Sequence, residues 1–361
     1  MPHPSSTCPL ILGIETSCDD TACALLDGDG RVLASVVSSQ LAAHQPYGGV
    51  VPEIASREHL KNWPAVSAQA LERAGVSLSE IDAVAATRGP GLVGALLVGL
   101  SLGKALAFGL GKPFYGVHHL EAHLVSPFLR DPARESNAPA EALPETMIGL
   151  VASGGHTALY EVIAGQARTL IETRDDAFGE VFDKVGKRLG LAYPQGPKVD
   201  ALAERGEPTT ALPIPKNGDQ SLDFSYSGLK SQTLVEIEAL ERRGVATDLS
   251  AVAAGDEPQE VLDLLASFRA AAVKQVMSRL RRLRRQRPVP FLAVSGGAAA
   301  NRLLRRELVA WGEEYEVPVK LVPLAYAGDN AAMIAHAALL RLKRGEPGDP
   351  LSTEAQSRIA L

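Results

Sequence analysis

Two histidines spaced by four residues are the most chemically informative feature of this chain. They are His119 and His123, in the stretch His119-Leu120-Glu121-Ala122-His123. On a helix, residues four apart lie about 40° apart around the axis, so both imidazoles point the same way and are able to bind one metal ion. Two ligands do not complete a site. The spacing therefore leaves two interpretations open: a metal site with a third ligand from elsewhere, or two histidines on a helix surface.

The position of Glu121 decides what kind of metal site this would be. Glu121 lies two residues after His119, about 200° round the helix, and is expected to face away from the histidines. Zinc proteases place a glutamate directly beside one of the paired histidines, where it acts as the general base. The pattern therefore indicates a metal site without a protease's base.

Glycine-rich and serine-rich loops form a second set of chemically useful residues. The stretch 11–21 runs from an apolar strand into small polar residues, and the stretch 147–157 repeats that design. Gly13 matches Gly149, Ser17 matches Ser153 and Thr21 matches Thr157, all at one constant offset. A third loop, Ser295-Gly296-Gly297, follows the strand 290–294 and leads into a helix over 298–311. Turns of this kind offer backbone amides to a phosphate, and their repetition predicts a duplicated α/β domain.

Length, composition and charge limit which classes of protein this chain can belong to. A chain of 361 residues is too long for one compact core, so two domains are expected. Three cysteines crowded near the N-terminus argue against a disulfide framework and for a reducing cytoplasm, and residues 1–9 have no signal-peptide pattern. The formal net charge is −6, so any nucleic-acid contact has to be local or shared with a partner.

The remaining elements alternate between strand and helix. The apolar run over residues 92–110 is long enough to span a membrane, but its four glycines favour a buried helix with a glycine face. A strand over 113–117 leads into the histidine helix, a helix covers 178–189, and a late helix begins at Asp329. The tail after Arg344 is expected to be frayed.

These residues together resemble the TsaD family, which transfers threonylcarbamoyl to tRNA and was formerly labelled O-sialoglycoprotein endopeptidase. The matching stretches run from residue 11 to residue 334 and are highly specific as an ordered set. They cover residues 13–20, 48–53 with 56–59, 89–92, 118–123, 153–157, 179–184, 224–230, 295–297 with Asn301, and 329–334.

The resemblance implies the fold and the domain organisation. The expected fold class is α/β, with duplicated actin/Hsp70/sugar-kinase-like (ASKHA) domains around a central cleft. The first domain would comprise residues 1–130 and be joined by the late helix 329–345. The second would comprise residues 146–324 and hold the nucleotide pocket, with a linker over 131–145 and a tail over 346–361.

The resemblance also implies the missing metal ligand. By family correspondence His119, His123 and Asp329 would hold one Fe²⁺ or Zn²⁺ per subunit. Taken alone, Asp329 also suits an N-cap or first-turn acid of a helix. Archaeal relatives add a tyrosine ligand where this chain has Val151, so water or substrate would fill that position. His118 is interpreted as a packing residue.

A substrate pocket for threonylcarbamoyl-adenylate is implied in the same way. The turn over residues 151–155 would wrap the phosphate and carbamoyl region. Asp183 and Asp200 would accept hydrogen bonds from ribose, and Gly196 would allow close approach of the sugar or base. Asp183 alone also fits a surface acid paired with Lys187. Gln195 stands where relatives usually have glycine, so the backbone conformation beside Gly196 is open to question. The complete set of expected substrate contacts is Val151, Ala152, Ser153, Gly154, Gly155, Asp183, Gly196, Asp200 and Asn301. No general base is evident, and Glu15 and His156 are the candidates.

The predicted function is transfer of threonylcarbamoyl to the adenosine next to the anticodon of ANN-decoding tRNAs, with release of AMP. Implied partners are tRNA, a non-catalytic paralogue and a small ATPase of the TsaB and TsaE type, and an upstream adenylate-forming synthase, with no membrane. A small-molecule kinase of the same fold would explain the loops but not the histidines, and a metalloprotease lacks its base.

Six arginines within residues 279–287 are interpreted either as a phosphate contact or as a solvated helix end.

Overall fold

The chain forms two compact units, each built on its own five-stranded sheet. The structure, a computed structural model, describes residues 8–130, 141–214 and 222–361. Unit 1 comprises residues 1–143 and 322–361, and unit 2 comprises residues 144–321. Most of the predicted linker, residues 131–140, lies outside the described residues.

Unit 1 contains five strands and five of the helices. Its strands are β1 (Ile11–Glu15), β2 (Asp20–Leu26), β3 (Val32–Ser39), β4 (Ala83–Gly89) and β5 (Phe114–His118). Its helices are α1 (Leu41–His44), α2 (Pro52–Ala74), α3 (Val93–Leu110), α4 (His119–Val125) and, from the end of the chain, α10 (Ala331–Lys343).

Unit 2 has the remaining strands and helices. Its strands are β6 (Thr146–Ala152), β7 (Thr157–Ile163), β8 (Gln166–Glu172), β9 (Leu292–Ser295) and β10 (Val319–Leu321). Its helices are α5 (Phe178–Arg188), α6 (Gly196–Ala203), α7 (Ser227–Arg242), α8 (Gln259–Gln286) and α9 (Arg302–Tyr315).

The two sheets repeat one topology, which confirms the predicted duplication. The strand order is β3-β2-β1-β4-β5 in unit 1 and, read in the same direction, β8-β7-β6-β9-β10 in unit 2. Even the hairpin register is the same in the two units. Gly13 lies opposite Ala24 in unit 1, and at the same offset Gly149 lies opposite Tyr160 in unit 2. The glycine and serine turns therefore occupy equivalent places, each at the end of a central strand.

Helix α3 is buried along its glycine face only. Gly99 and Gly103 face the sheet, and a Cβ atom at Gly99 would collide with Oγ1 of Thr16. The opposite face is open, with Leu97 51% and Phe108 76% exposed. The prediction of a buried helix is therefore correct for one face alone, because a helix lying on a sheet buries only the stripe that touches it. Among the described residues, α3 is the single helix long and apolar enough to cross a membrane.

Two helix boundaries differ from the sequence-based expectation. Helix α10 begins at Ala331 and not at Asp329, because the side chain of Asn330 accepts a hydrogen bond from Met333 N at 3.0 Å and caps the helix. The helix expected over 298–311 is divided into a 3₁₀ turn, Gly297–Ala300, and α9, with Asn301 as the N-cap. Asparagine favours the N-cap because its side-chain oxygen satisfies a free amide of the first turn.

The tail after Arg344 is bonded to the rest of unit 1 and not frayed. The amide of Gln356 donates to the carbonyl of Arg88 at 2.8 Å, and Gly91 N donates to Ser357 O at 3.3 Å. The ammonium of Lys104 donates to the carbonyl of Thr353. These bonds involve main-chain groups of the tail, which carry no side-chain pattern that a sequence could reveal.

We predict that two glycine substitutions on α3 act in opposite directions. Gly99→Ala should lower the free energy of unfolding by about 1–3 kcal/mol, because the new methyl group collides with buried Thr16. Gly109→Ala is the matched control: nothing lies within 4 Å of its Cβ position, and alanine should stabilise the helix by about 0.5–1 kcal/mol. Urea unfolding of both variants measures the difference, and equal stabilities would contradict this packing of α3.

Candidate functional site

The two histidines lie at the start of α4, directly after β5. The backbone turns at His118, whose Nδ1 accepts a hydrogen bond from Leu120 N at 3.1 Å and caps the helix. One turn of helix then separates His119 from His123, whose ring centroids lie 4.7 Å apart at an interplanar angle of 87°. Both side chains are buried, so neither is the surface histidine of the alternative interpretation.

The carboxylate of Asp329 reaches both imidazoles from the segment before α10. Its Oδ1 lies 3.1 Å from Nε2 of His123 and 3.5 Å from Nε2 of His119. One ligand atom from each of the three residues falls within 4.8 Å of the others. The structure thus brings together the three residues that the family correspondence selected.

Glu15 forms a second layer behind His119. Its Oε2 lies 3.1 Å from Nδ1 of His119 and accepts a hydrogen bond from Thr87 Oγ1 at 2.6 Å, while Oε1 accepts from Ser17 N. The Glu15 side chain is fully buried. A carboxylate in this position holds the proton on Nδ1 of the imidazole and leaves Nε2 free to bind a metal. Because all of these contacts are internal, the geometry assigns Glu15 to orienting His119.

Opposite charges in the cluster offset part of the cost of burying them. Burial by itself lowers the pKa of His119, but Asp329 and Glu15 outweigh it and raise that pKa to about 10. Burial by itself raises the pKa of Asp329 and of Glu15, yet the charge and hydrogen bonds of His119 hold both pKa values below their ordinary range. A metal bound at Nε2 of His119 would require that nitrogen to be unprotonated, so metal binding is expected to release protons.

The donor set fits a transition metal and does not fit a metalloprotease. Two imidazole nitrogens and one carboxylate oxygen suit Fe²⁺ or Zn²⁺. Burial raises the pKa of Glu121, and the charged groups acting on its carboxylate are those of Arg341, Arg88, Arg344 and Glu346. Glu121 therefore faces a different environment from the histidines, as the helix geometry predicts. Nδ1 of His123 is buried and has no hydrogen-bond partner in the described part of the chain. Of the two histidines, His119 is therefore the one whose Nδ1 is held by a hydrogen bond.

The equivalent turn of unit 2 is open to solvent. It joins β6 to β7 and is closed by the Ser153 amide, which donates to His156 O at 2.8 Å. Gly154 and Gly155 are exposed, and nothing lies within 4 Å of a Cβ built on either. Val151 and Ala152 are buried in the strand that leads to the turn. The turn therefore leaves space at its two glycines for a ligand to approach the backbone.

Neighbouring backbone supports this turn from two sides. The amide of Gly179, at the start of α5, donates to Ser153 O at 3.2 Å. Gly296 has φ +95°, and a Cβ there would collide with Ala152 O, so only glycine fits against the end of β6. The turn, the start of α5 and the Ser295-Gly296-Gly297 loop consequently meet at one end of the unit 2 sheet.

Asp183 holds the beginning of α6. Its Oδ1 accepts hydrogen bonds from Gln195 N at 3.0 Å and from Gly196 N at 2.8 Å. This role is distinct from the surface pairing with Lys187 that the sequence also allowed. Gln195 adopts an ordinary right-handed backbone conformation, φ −83° and ψ −36°, and its side chain is buried. The replacement of the usual glycine thus leaves the backbone beside Gly196 unstrained.

Asp200 and Asn301 are joined directly. Oδ1 of Asp200 accepts from Asn301 Nδ2 at 2.8 Å and from Arg269 Nη1 at 3.2 Å, while Oδ2 accepts from Arg302 N at 3.2 Å. Sequence reasoning missed Arg269, because a single arginine inside an amphipathic helix has no distinguishing pattern. It also missed Thr87 beside Glu15, because a single threonine in a buried strand gives no sign of its distant partner. Four of the expected substrate-binding residues therefore form two hydrogen-bonded groups at α6, Asp183 with Gly196 and Asp200 with Asn301, while residues 151–155 form the separate turn after β6.

The chain is similar to known proteins over most of its length. A family model described as tRNA N6-adenosine threonylcarbamoyltransferase matches residues 31–336. A protein of that name from Thermus thermophilus is 44% identical over 346 residues, covering 96% of this chain and 97% of its own length. Another from Pelobacter propionicus is 47% identical over 328 residues, covering 90% of each chain.

Solved structures share the fold at low sequence identity. HypF from T. kodakarensis superposes with a TM-score of 0.58 at 15% identity, covering 98% of this chain and 50% of HypF. Component A of the Acidaminococcus fermentans (R)-2-hydroxyglutaryl-CoA dehydratase gives 0.50 at 17% identity, covering 94% of this chain and 99% of that one. The fold is the duplicated actin/Hsp70/sugar-kinase-like fold that the sequence predicts.

We predict that the purified protein holds about one Fe or Zn ion at the three converging side chains. His119→Ala and Asp329→Ala should each sharply lower the metal content measured by mass spectrometry. Glu121→Ala, on the same helix, is the matched control and should retain it. Glu15→Gln should weaken metal affinity by about 10- to 100-fold, because it removes the charge that orients His119. Full metal content in the double variant His119→Ala/His123→Ala would contradict the site.

We also predict that AMP-containing ligands bind unit 2 and depend on Asp183. Asp183→Ala should weaken them by about 1–3 kcal/mol, because it removes hydrogen bonds to a charged group and releases the amides at the start of α6. Glu238→Ala, an exposed acid on α7, removes the same charge and should have no effect. Calorimetric titration with AMP and ATP measures both, and equal affinity in wild type and Asp183→Ala would exclude Asp183 from the pocket.

Proposed function

The chain belongs to the tRNA N6-adenosine threonylcarbamoyltransferase family, and we propose that it moves a threonylcarbamoyl group from threonylcarbamoyl-adenylate to the exocyclic amine of a tRNA adenosine, releasing AMP. It is a transferase. We place the acceptor next to the anticodon in ANN-decoding tRNAs. The observation that carries the proposal is the convergence of His119, His123 and Asp329 on a helix face that offers no protease base.

The proposed donor needs little chemical activation from the protein. Threonylcarbamoyl-adenylate is a mixed anhydride, so its carbonyl is already electrophilic and AMP is a good leaving group. The adenosine amine attacks the carbamoyl carbon, the bond from that carbon to the phosphate oxygen breaks, and AMP leaves with the electron pair. The attacking amine loses one proton. The protein therefore has to hold the two reactants in line and stabilise charge on the carbonyl.

The metal site is proposed to act on the acyl group. A bound Fe²⁺ or Zn²⁺, held by His119, His123 and Asp329, would supply Lewis-acid polarisation of the carbamoyl carbonyl or the threonyl carboxylate. Glu15 supports this role by fixing the ring of His119 at 3.1 Å. Because His119 is buried and its Nδ1 is hydrogen-bonded to Glu15, the orientation of its Nε2 is fixed before any ligand binds.

The unit 2 turn is proposed to hold the adenylate. Gly154 and Gly155 are exposed and have no neighbours at their Cβ positions, so a phosphate is able to reach the backbone at these two residues. Val151 and Ala152 lie in β6 and the Ser153 amide donates to His156 O, so these three residues shape the turn. Asp183 and Asp200 each use carboxylate oxygens to fix backbone around α6, and a carboxylate oxygen still accepts further hydrogen bonds from ribose hydroxyls. His156 is the titratable side chain of the turn and remains the candidate for the proton that the amine loses.

The alternative functions are less well supported. A small-molecule kinase of the same fold is not favoured by the family match. A metalloprotease needs a base beside the histidines, and the Glu121 carboxylate lies among Arg341 and Arg88 instead.

We propose that the chain works in the cytoplasm with partner proteins: a non-catalytic paralogue, a small ATPase and an upstream synthase that supplies the adenylate. The exposed apolar side chains of α3 support a protein partner, since Val93, Leu97 and Phe108 are 54%, 51% and 76% exposed.

The proposed reaction predicts little or no turnover by the isolated chain. Modification of ANN-decoding tRNA should appear once the paralogue, the ATPase and the adenylate-forming synthase are added, and nucleoside mass spectrometry detects the product. Leu97→Asp should impair assembly with the paralogue, whereas the same change at exposed Leu351 in the tail serves as the control. Multiple turnovers by this chain alone would refute the partner requirement. Absence of product from the complete mixture would refute the transfer itself.

A further inference from the structure

The end of α8 is the most strongly basic stretch of the chain. Residues 279–287 contain six arginines and no acidic residue, in a protein whose formal net charge is −6. Cations at a helix C-terminus are stabilised by the helix dipole, which by itself explains why arginines are tolerated there. It does not explain where their side chains point.

Arg279, Arg284 and Arg287 contact other parts of unit 2. Arg279 is 2% exposed and its Nε donates to Asp223 O at 3.2 Å. Arg284 lies over the ring of Tyr315, 4.6 Å from its centroid. Arg287 forms an ion pair with Glu161. The basic stretch is therefore not one uniform solvated face.

The other three arginines converge on one side of α8. They share a helical spacing with two neutral hydrogen-bonding side chains, and the five together line a recess of about 380 Å³: Ser278, Arg281, Arg282, Arg285 and Gln286. No carboxylate belongs to this lining. Glu314 lies 3.9 Å from Arg281, but the two side chains are 53% and 40% exposed, so this pair is weak in water.

Arg285 adds an exposed guanidinium to the same recess. Across the described ranges of the chain it forms no ion pair, so its charge is not neutralised locally. A guanidinium group binds phosphate through two parallel hydrogen bonds, and serine hydroxyls and glutamine amides commonly contact phosphate and sugar. The lining thus offers several hydrogen-bond donors and contains no carboxylate of its own.

We propose that this recess on α8 binds a backbone phosphate of the tRNA substrate. The proposal rests on the proposed function, since it identifies where a transferase of net negative charge contacts its polyanionic acceptor. Contacts to phosphate carry no base sequence information, so the recess would position the tRNA and leave selection of the modified adenosine to other residues. An acidic partner protein is the competing occupant, and the experiment separates the two.

The test compares two double variants of equal charge change. Arg281→Ala/Arg285→Ala removes two recess arginines, and Arg242→Ala/Arg243→Ala removes two exposed arginines at the end of α7 in the same unit. Affinity for an ANN-decoding tRNA is measured at several salt concentrations, with the chain alone and with its paralogue. We expect the recess variant to lose about tenfold or more in affinity and about two units of salt slope. The α7 variant should match wild type, and Arg281→Lys/Arg285→Lys should retain most of the slope.

The outcomes distinguish this proposal from its premise. Equal losses in both alanine variants, or unchanged tRNA binding in the recess variant, would overturn the recess as a phosphate site. Loss of paralogue binding with unchanged tRNA affinity would assign the surface to a protein and also overturn it. In transfer assays the recess variant should raise KM for tRNA and leave kcat unchanged. If wild type binds tRNA through these arginines but transfers nothing, the proposed function fails and the recess stands.

Discussion

The contact between the buried Glu15 carboxylate and the His119 imidazole, 3.1 Å long, is the interaction on which the unit 1 site depends. Charged groups are costly to bury unless they are paired and hydrogen-bonded. Here Glu15 also accepts bonds from Thr87 and Ser17, so its oxygens are satisfied by groups from separate strands and turns. The cost of burial is offset only in this one arrangement, which fixes the imidazole before any ligand binds.

This constraint explains why the repeated turn serves different purposes in the two units. In unit 1 the turn after β1 faces inward: Thr16 donates to Ala95 O at 2.9 Å, and Ser17 lies beside His119. In unit 2 the turn after β6 faces solvent with Gly154 and Gly155. The duplicated threonine anchors both copies, since Thr21 contacts His59 at 2.8 Å and Thr157 accepts from Phe178 N at 2.7 Å. One backbone design therefore lies beside the buried His119 in unit 1 and forms a solvent-exposed turn in unit 2.

The expected nucleotide-binding residues of unit 2 follow a related rule. Asp183 accepts from an amide at the start of α6. Asp200 and Asn301 are hydrogen-bonded to each other, and Asn301 also accepts from an amide in the first turn of α9. Buried polar groups of this kind rigidify a site when all of them are satisfied. The carboxylates consequently shape the backbone around α6 and remain able to accept from a ligand. Substitution of one of them changes the shape of the site as well as its contacts.

Much of this protein was determined by local sequence. The four-residue spacing of His119 and His123 defines one helix face, and the constant offset from Gly13 to Gly149 identifies the duplication, because helical and strand periodicities are local properties. The exclusion of Glu121 from the histidine face follows from the same geometry. Family correspondence, and not spacing, selected Asp329 from among 42 acidic residues.

Other features were decided only by tertiary structure. Glu15 and Thr87 join His119 from distant strands. The tail is held both by main-chain bonds to unit 1 and by the Asp349 carboxylate, which accepts from Gly116 N and pairs with Arg341. The start of α10 moved to Ala331 because Asn330 serves as its N-cap. The six arginines near the end of α8 meet different surroundings: Arg279 is buried, Arg287 pairs with Glu161, and Arg281, Arg282 and Arg285 line a recess, because each direction around α8 meets a different neighbour. Contacts between residues far apart in the chain depend on how the elements pack, and that information is not contained in any local pattern.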